Sequence, residues 1–290
     1  PSVAYIARVD DFDCGIMISA SHNPYYDNGI KVINGQGSKL EASVEEEIEA
    51  YIDGEIPEIP FAKREQIGKT VDYSMGRNRY IGYLMTLATR SYKHKRIGLD
   101  CANGASAKSV PVLVEATRFS RLNTPIISRE YDGLNINRDC GVMHMANLTE
   151  YVKSNGLAMG FAFDGDADRV LISDGKGRNI DGDIILWVLG RWLKRSGNDK
   201  VVVTVMSNMA LETHLANEGI KALRCPVGDR YVLETMRESG AALGGEQSGH
   251  IIATEFTSTG DGLCTAMLFL NAIHDLGEDT GTLIDRFGGY

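Results

Sequence analysis

Cysteine is scarce in this chain and set apart: Cys14, Cys101, Cys140, Cys225 and Cys264 form no CxxC pair and are odd in number, which leaves no basis for a disulfide framework or a thiolate metal site. Reduced thiols of a cytoplasm fit that pattern best. Long apolar runs are missing as well. None approaches the roughly 18 residues of a membrane span, and no basic, apolar, small-residue leader opens the sequence, so no membrane partner is expected. Positive charge is in deficit, with 30 Lys and Arg against 39 Asp and Glu for a net charge of -9, so nucleic-acid phosphates would be repelled at long range. An anionic small substrate stays compatible if cationic groups gather locally. Also absent are a Walker A loop, a dinucleotide fingerprint and any repeat of solenoid period. Pro1 stands where an initiator methionine would, so an earlier stretch of chain is expected.

What is present is a globular pattern: 290 residues, 43% of them hydrophobic, suffice for two or more domains with real cores. Apolar runs of strand length alternate with amphipathic runs of helix length, the signature of layered α/β architecture. The periodicity predicts strands over 15–19, 30–33, 96–100, 159–163, 170–173, 200–206, 222–225 and 251–254. Helices are expected over 77–89, 107–116, 148–154, 183–195, 210–217, 231–238 and 262–273, with Ser43 to Glu46 read as a capping box opening another that ends near Tyr51. The Pro57 and Pro60 region and the turn Asp174-Gly175-Lys176-Gly177 mark boundaries. Three units follow, 1–72, 73–174 and 175–290, the first too short to close a sheet alone.

Three loops carry chemistry. In Asp164-Gly165-Asp166-Ala167-Asp168-Arg169, after one apolar run and before another, carboxylates at alternate positions can face one centre, and oxygen-only ligands suit Mg2+. An EF-hand would want Gly and Glu where Arg169 and Gly175 stand; an aspartyl nucleophile and a solvated acidic turn are the other readings. Ser19-Ala20-Ser21-His22-Asn23-Pro24 follows a buried strand, at the end where open α/β sheets bind ligands, and is either a reactive serine loop or an ordinary polar turn. Lys31 can return a cation to it if the strand after Asn28-Gly29 runs back, and His22 can hydrogen-bond a phosphate or pass a proton. In Gly244-Gly245-Glu246-Gln247-Ser248-Gly249-His250, alternation puts Glu246, Ser248 and His250 on one side, a set suited to vicinal sugar hydroxyls; a glycine-rich hairpin is the alternative.

Taken in order, Ser-Ala-Ser-His-Asn-Pro, Asp-Gly-Asp-Ala-Asp-Arg and Gly-Glu-Gln-Ser-Gly-His resemble the α-D-phosphohexomutases across essentially the whole chain, with Gln247 and Gly228-Asp229 pointing to the amino-sugar branch. The resemblance implies consecutive three-layer α/β domains with mixed sheets, within a four-domain enzyme that interconverts glucosamine 6-phosphate and glucosamine 1-phosphate. It makes Ser21 the phosphoserine and gives Mg2+ to Asp164, Asp166, Asp168 and the serine phosphate. Lys31 and Arg169 would steady the transferring group, with His22 beside it, while Glu246, Ser248 and His250 meet the sugar. The implied partner is a hexosamine phosphate in the cytoplasm, with a homodimer left open as the assembly. The pattern is also broken in places. The family's amino-terminal Gly-Thr-Asp-Gly-x-Arg-Gly segment and carboxyl-terminal Arg-Ser-Gly-Thr loop are not found, and Val142-Met143 replaces the usual small hydroxyl pair before His144. A phosphomannomutase or phosphoglucomutase, and a sugar-phosphate-binding fragment without activity, are therefore the competing expectations.

Overall fold

The computed structural model describes residues 1–116 and 123–288. Its first part is a helix, α1 (Ser2–Val9), then an antiparallel hairpin of β1 (Cys14–Ser19) and β2 (Gly29–Asn34), then α2 (Ala42–Ile52). A long helix, α3 (Ser74–Leu87), packs against α1, where Tyr5 stacks on Tyr83 at 4.8 Å between ring centroids. One side of the hairpin is open: Ile16, Ile18 and Ile30 are exposed, and α2 buries no residue.

The second sheet has the order β4-β3-β5-β6-β7, built from β3 (Ile97–Asp100), β4 (Ile126–Ile127), β5 (Met159–Phe163), β6 (Val170–Asp174) and β7 (Asn179–Ile180). Two helices belong to the same stretch of chain, α4 (Ser106–Ala116) and α5 (Met145–Ser154), and α5 packs on β3, β5 and β6. The third sheet runs β11-β10-β8-β9, from β8 (Lys200–Thr204), β9 (Lys221–Cys225), β10 (Leu243–Gly245) and β11 (Ile251–Ala253). Its helices are α6 (Gly182–Lys194), α7 (Met209–Asn217), α8 (Asp229–Ser239), α9 (Gly262–Leu276) and α10 (Thr280–Phe287). Both larger sheets mix parallel and antiparallel pairs, so the architecture is mixed α/β as expected. No helix among the described residues is long and apolar enough to cross a membrane.

The run from Gly262 to Ile273 in α9 is buried on every side, which is what a helix without a polar face requires. It lies against α3, α6, β5, β6 and β11 at once, and Phe269 meets Phe161 of β5 edge-on at 6.4 Å. That shared core holds the second and third sheets in fixed relation, and the loops leaving their strands inherit the arrangement.

Several expectations shift. The turn at residues 174–177, expected only as a boundary, also closes the β6–β7 hairpin of the second sheet, with Asp174 N donating to Arg178 O at 2.9 Å. Ser43 does not cap α2. The helix begins one residue earlier, and the N–H groups of Val44 and Glu45 bond to the carbonyl of Glu41. The strand expected over 200–206 ends at Thr204, and α5 begins before residue 148. Within the third expected unit, residues 289 and 290 lie outside the described residues.

Asp100, at the end of β3, is fully buried and accepts hydrogen bonds from Ala102 N at 2.9 Å and Gly141 N at 3.0 Å, tying together two loops that border the site. Burial pushes its carboxyl above the usual range, against those two bonds. Replacing Asp100 with Ala leaves both N–H groups unpartnered in the interior. The expected cost is about 2–4 kcal/mol, read as a fall in Tm of roughly 5–10 °C, with Asp100→Asn milder.

Candidate functional site

Hairpin geometry brings the first loop to its place. The register pairs Ser19 with Gly29 and Met17 with Lys31, so the chain leaves β1 at Ser19, turns, and returns a lysine beside the strand it left. Asn23 N bonds back to Ala20 O at 2.8 Å, closing a β-turn whose second residue is Ser21. Ser21 has φ +54, a left-handed value that type II′ turns normally give to glycine. His22 Nδ1 lies 3.5 Å from Ser21 Oγ. Burial, then the positive charge of Arg169, pulls the His22 imidazole below its ordinary value, so it is neutral at neutral pH.

The acidic loop leaves β5 and reaches the same point. Ligand oxygens of Asp164, Asp166 and Asp168 lie within 4.8 Å of one another. Ser21 Oγ stands 3.5 Å from Asp164 Oδ2, so residues far apart in sequence do share one centre. Lys31 Nζ bridges Asp166 Oδ2 at 2.6 Å and Asp168 Oδ2 at 3.3 Å. Burial, with the charges of Asp168 and Asp166 added, drives the Asp164 carboxyl well above the usual carboxylate range. Asp168 goes the other way: burial would raise it, but the adjacent His250 imidazole and the charge of Lys31 hold it well below. For Lys31, burial works against the charge and the two carboxylates overcome it, keeping the ammonium protonated.

These residues fit a hard divalent cation. Among the described residues Asp166 Oδ1 and Asp168 Oδ1 are buried without a hydrogen-bond partner, and such oxygens are costly unless a cation takes them. The clustered donors are all carboxylate oxygens, which disfavours the softer transition metals. Arg169 closes the loop through its N–H to Asp164 Oδ1 at 3.1 Å, and its Nε is also buried without a partner.

The third loop joins the second through backbone. Val170 N donates to Gly249 O at 3.1 Å, and Arg169 and His250 form an isolated antiparallel bridge. The expected one-sided set of Glu246, Ser248 and His250 divides. Glu246 Oε1 accepts from Gly228 N at 3.1 Å, and Ser248 Oγ is shielded from solvent without a partner. His250 is buried beneath Gly260, its Nδ1 3.6 Å from Asp168 and its Nε2 3.8 Å from Asp229, so it links two carboxylates rather than facing an open cleft. Asp229 in turn binds Lys39 at 2.7 Å. Burial opposes its charge, but His250 and Lys39 hold its carboxyl below the usual range.

Close backbone contact makes this convergence possible. A Cβ at Gly165 would collide with the carbonyl oxygen of Ser21, and one at Gly182 with that of Glu246. Two residues outside the expected set also belong here. Lys39 reaches Asp229 from the segment after β2, and Asn137 donates through Nδ2 to the carbonyls of Ser21 and Asn23, both at 2.8 Å. Lys39 gave no signal in sequence. Asn137 lies in a polar turn after Asp132-Gly133, a weak one.

Comparison with known proteins agrees with this geometry. Residues 1–58, 78–177 and 181–290 match, in order, the phosphoglucomutase/phosphomannomutase alpha/beta/alpha domains I, II and III. A phosphoglucosamine mutase of Lachnoclostridium phytofermentans is 52% identical over 287 residues, which cover 98% of this chain and 63% of the relative. One from Lachnospira eligens is 50% identical over 276 residues, covering 94% of this chain and 61% of that protein. The chain thus spans somewhat under two thirds of the length of these curated relatives. Among solved structures, a phosphoglucomutase/phosphomannomutase family protein of Burkholderia thailandensis superposes with a TM-score of 0.81 at 22% identity, covering 100% of this chain and 63% of the other. A putative phosphomannomutase of Thermus thermophilus gives 0.82 at 21% identity, with coverages of 99% and 65%. At such identities the solved structures speak for the fold alone. With the three domain types in sequence and half of all aligned positions shared with the curated relatives, the chain belongs to the phosphoglucomutase/phosphomannomutase family, the α-D-phosphohexomutases.

Proposed function

We propose that this chain carries the phosphoryl-transfer centre of a cytoplasmic phosphoglucosamine mutase, interconverting glucosamine 6-phosphate and glucosamine 1-phosphate through a phosphoserine at residue 21. The observation that carries this reading is the approach of Ser21 Oγ to within 3.5 Å of an acidic triplet able to hold a divalent ion. The bond between phosphorus and Ser21 Oγ breaks as one to the free sugar hydroxyl forms. The bisphosphorylated sugar turns over, and its other phosphate returns to Oγ. Asp164, Asp166 and Asp168 would hold Mg2+. The ion, when bound, neutralises charge on the transferring phosphoryl group. Lys31 and Arg169 add positive charge at the same place, where positioning and electrostatics make up most of the catalysis. Glu246, oriented by the N–H of Gly228, and Ser248 would receive the sugar hydroxyls. His250 would fix the acidic loop against Asp229 rather than touch sugar. The units proposed are 1–72, 73–174 and 175–290, each contributing one loop.

The test compares kcat/KM for the phosphates of glucosamine, glucose and mannose, in the 290-residue chain and in that chain completed with the remaining length of the L. phytofermentans relative. A preference for the amino sugar is expected. Faster turnover of mannose or glucose phosphates overturns the assignment of substrate, and no turnover by either protein overturns the assignment of activity.

His22 adds a pH dependence. Its neutral imidazole can take the proton of the attacking hydroxyl, so the acid limb of kcat/KM should have its midpoint below 6.5, the ordinary histidine value, and vanish in His22→Gln. The folded chain also binds that proton less tightly than the unfolded one. Protonation therefore works against stability as pH falls through 6.5, and the wild type should lose Tm there faster than His22→Gln.

A further inference from the structure

We infer that Asn137 is a positioning residue for the serine loop: a single side-chain amide that clamps the carbonyls on either side of His22 and so fixes where the Ser21 hydroxyl points. The inference rests on the proposed role of Ser21. Nothing about residues 135–137 in the linear sequence connects them to residues 19–24, and the link exists only in the fold.

The clamp begins with a backbone that needs one. Ser21 occupies the turn position at φ +54, where a residue with a side chain is disfavoured and a competing conformation is always near. Left alone, the turn would relax and carry Oγ away from Asp164. Besides the turn's own bond from Asn23 N to Ala20 O, three groups oppose that. Ser21 N donates to Ser19 Oγ at 2.9 Å, and Gly165 N donates to Ser21 O at 3.0 Å. The third is the amide of Asn137, whose nitrogen lies 2.8 Å from Ser21 O and 2.8 Å from Asn23 O. The Ser21 carbonyl is thus a joint of three segments distant in sequence: its own turn, the acidic loop through Gly165, and the loop of Asn137.

Residue type matters at this position. Two carbonyl acceptors require two N–H groups on one atom, which an Asn amide has and which Asp and Ser lack. Asn137 itself sits at φ +58, and asparagine tolerates the left-handed region better than most residues. It is 6% exposed, so water does not compete for its amide. Its own loop is held independently of the serine. Asn137 N donates to Ala102 O at 2.9 Å, Asp132 Oδ1 accepts from Leu134 N and Asn135 N at 2.8 Å each, and Asn135 Nδ2 donates to Glu130 O at 2.7 Å. The clamp is therefore anchored on a loop already tied to the end of β3, and force on the serine turn passes to the second sheet.

Asn137→Gly is the informative substitution, because glycine accepts φ +58 without strain and only the amide is lost. Asn137→Asp is its complement, the same shape with acceptors facing two carbonyls. Both are assayed in the completed protein and in the 290-residue chain. A displacement near 1 Å at a reacting atom costs up to a hundredfold, so kcat is expected to fall on the order of thirtyfold in Asn137→Gly and further in Asn137→Asp, with KM for the sugar phosphate within about threefold of the wild type. Hydrogen exchange at the amides of Asn23 and Gly165 should quicken in both variants while exchange in β5 and β8 does not change. A kcat within threefold of the wild type in Asn137→Gly overturns the inference, as does unchanged exchange at Asn23 and Gly165. A rise in KM equal to the fall in kcat assigns the residue to substrate binding and also overturns it. Should the wild type turn over no hexosamine phosphate, the proposed function fails, and the exchange measurement alone still decides whether the clamp exists.

Discussion

Replacing Ser21 with Ala is expected to remove turnover, lowering kcat by more than about 10^4-fold in the completed protein, since no neighbouring group can replace a covalent carrier of the phosphoryl group. Ser21 Oγ faces Asp164 Oδ2 and His22 Nδ1, both at 3.5 Å, whereas the nearby Ser19 hydroxyl accepts from Ser21 N at 2.9 Å. The backbone argues that the loss is chemical rather than structural. Alanine at φ +54 is no more strained than serine, and the bonds from Gly165 N and Asn137 to the carbonyl of residue 21 do not involve the side chain. Ser21→Gly sharpens the point, because glycine relieves the left-handed strain and should be at least as stable locally while equally inactive. Mass spectrometry after incubation with a hexose bisphosphate should detect a phosphoryl group on residue 21 of the wild type and of neither variant. Turnover within a hundredfold of wild type in Ser21→Ala, or a phosphoryl group found elsewhere, would refute the nucleophile.

Much of this centre is legible in the linear sequence because its chemistry sits in short contiguous motifs at the ends of strongly apolar strands. The run over 159–163 is predicted and observed with the same bounds, and the Asn28-Gly29 turn returns Lys31 next to its neighbours as the hairpin reading requires. What the sequence conceals has physical reasons. Strand β10 contains Gly244 and Gly245, which weaken any strand signal, yet glycine is needed there because α8 packs so closely that a Cβ at Gly244 would press on Met236 and Val232. Helix α1 has no capping side chain to announce it, and β7 is two residues long. His250 shows the limit of alternation as a guide. Period-two spacing groups it with Glu246 and Ser248, but the bridge to Arg169 turns it under Gly260, between Asp168 and Asp229. The Asn137 clamp and the Lys39 to Asp229 pair are long-range contacts, and no local pattern encodes them.

Lys31→Met should separate two effects that usually move together, lowering kcat by about 10^2- to 10^3-fold while tightening divalent-ion binding roughly tenfold. The ammonium of Lys31 lies 2.6 Å from Asp166 and 3.3 Å from Asp168, the same carboxylates that offer unpartnered oxygens to a cation. It therefore competes with the ion for their charge even as it lends its own to the transferring phosphoryl group. Because Asp168 and Asp166 keep it protonated against the cost of burial, the competition persists across the whole working pH range. Methionine keeps the length and the apolar stem and removes only the charge. The acidic triplet then stands uncompensated, so the variant in EDTA should melt below the wild type, and Mg2+ should raise its Tm by more than it raises that of the wild type. Titration calorimetry with Mg2+ alone, run beside the melting curves, reads the sign directly. If affinity falls together with kcat, Lys31 helps to build the ion site instead of competing for it, and the assignment of Asp166 and Asp168 as ligands shared between lysine and ion would have to be abandoned.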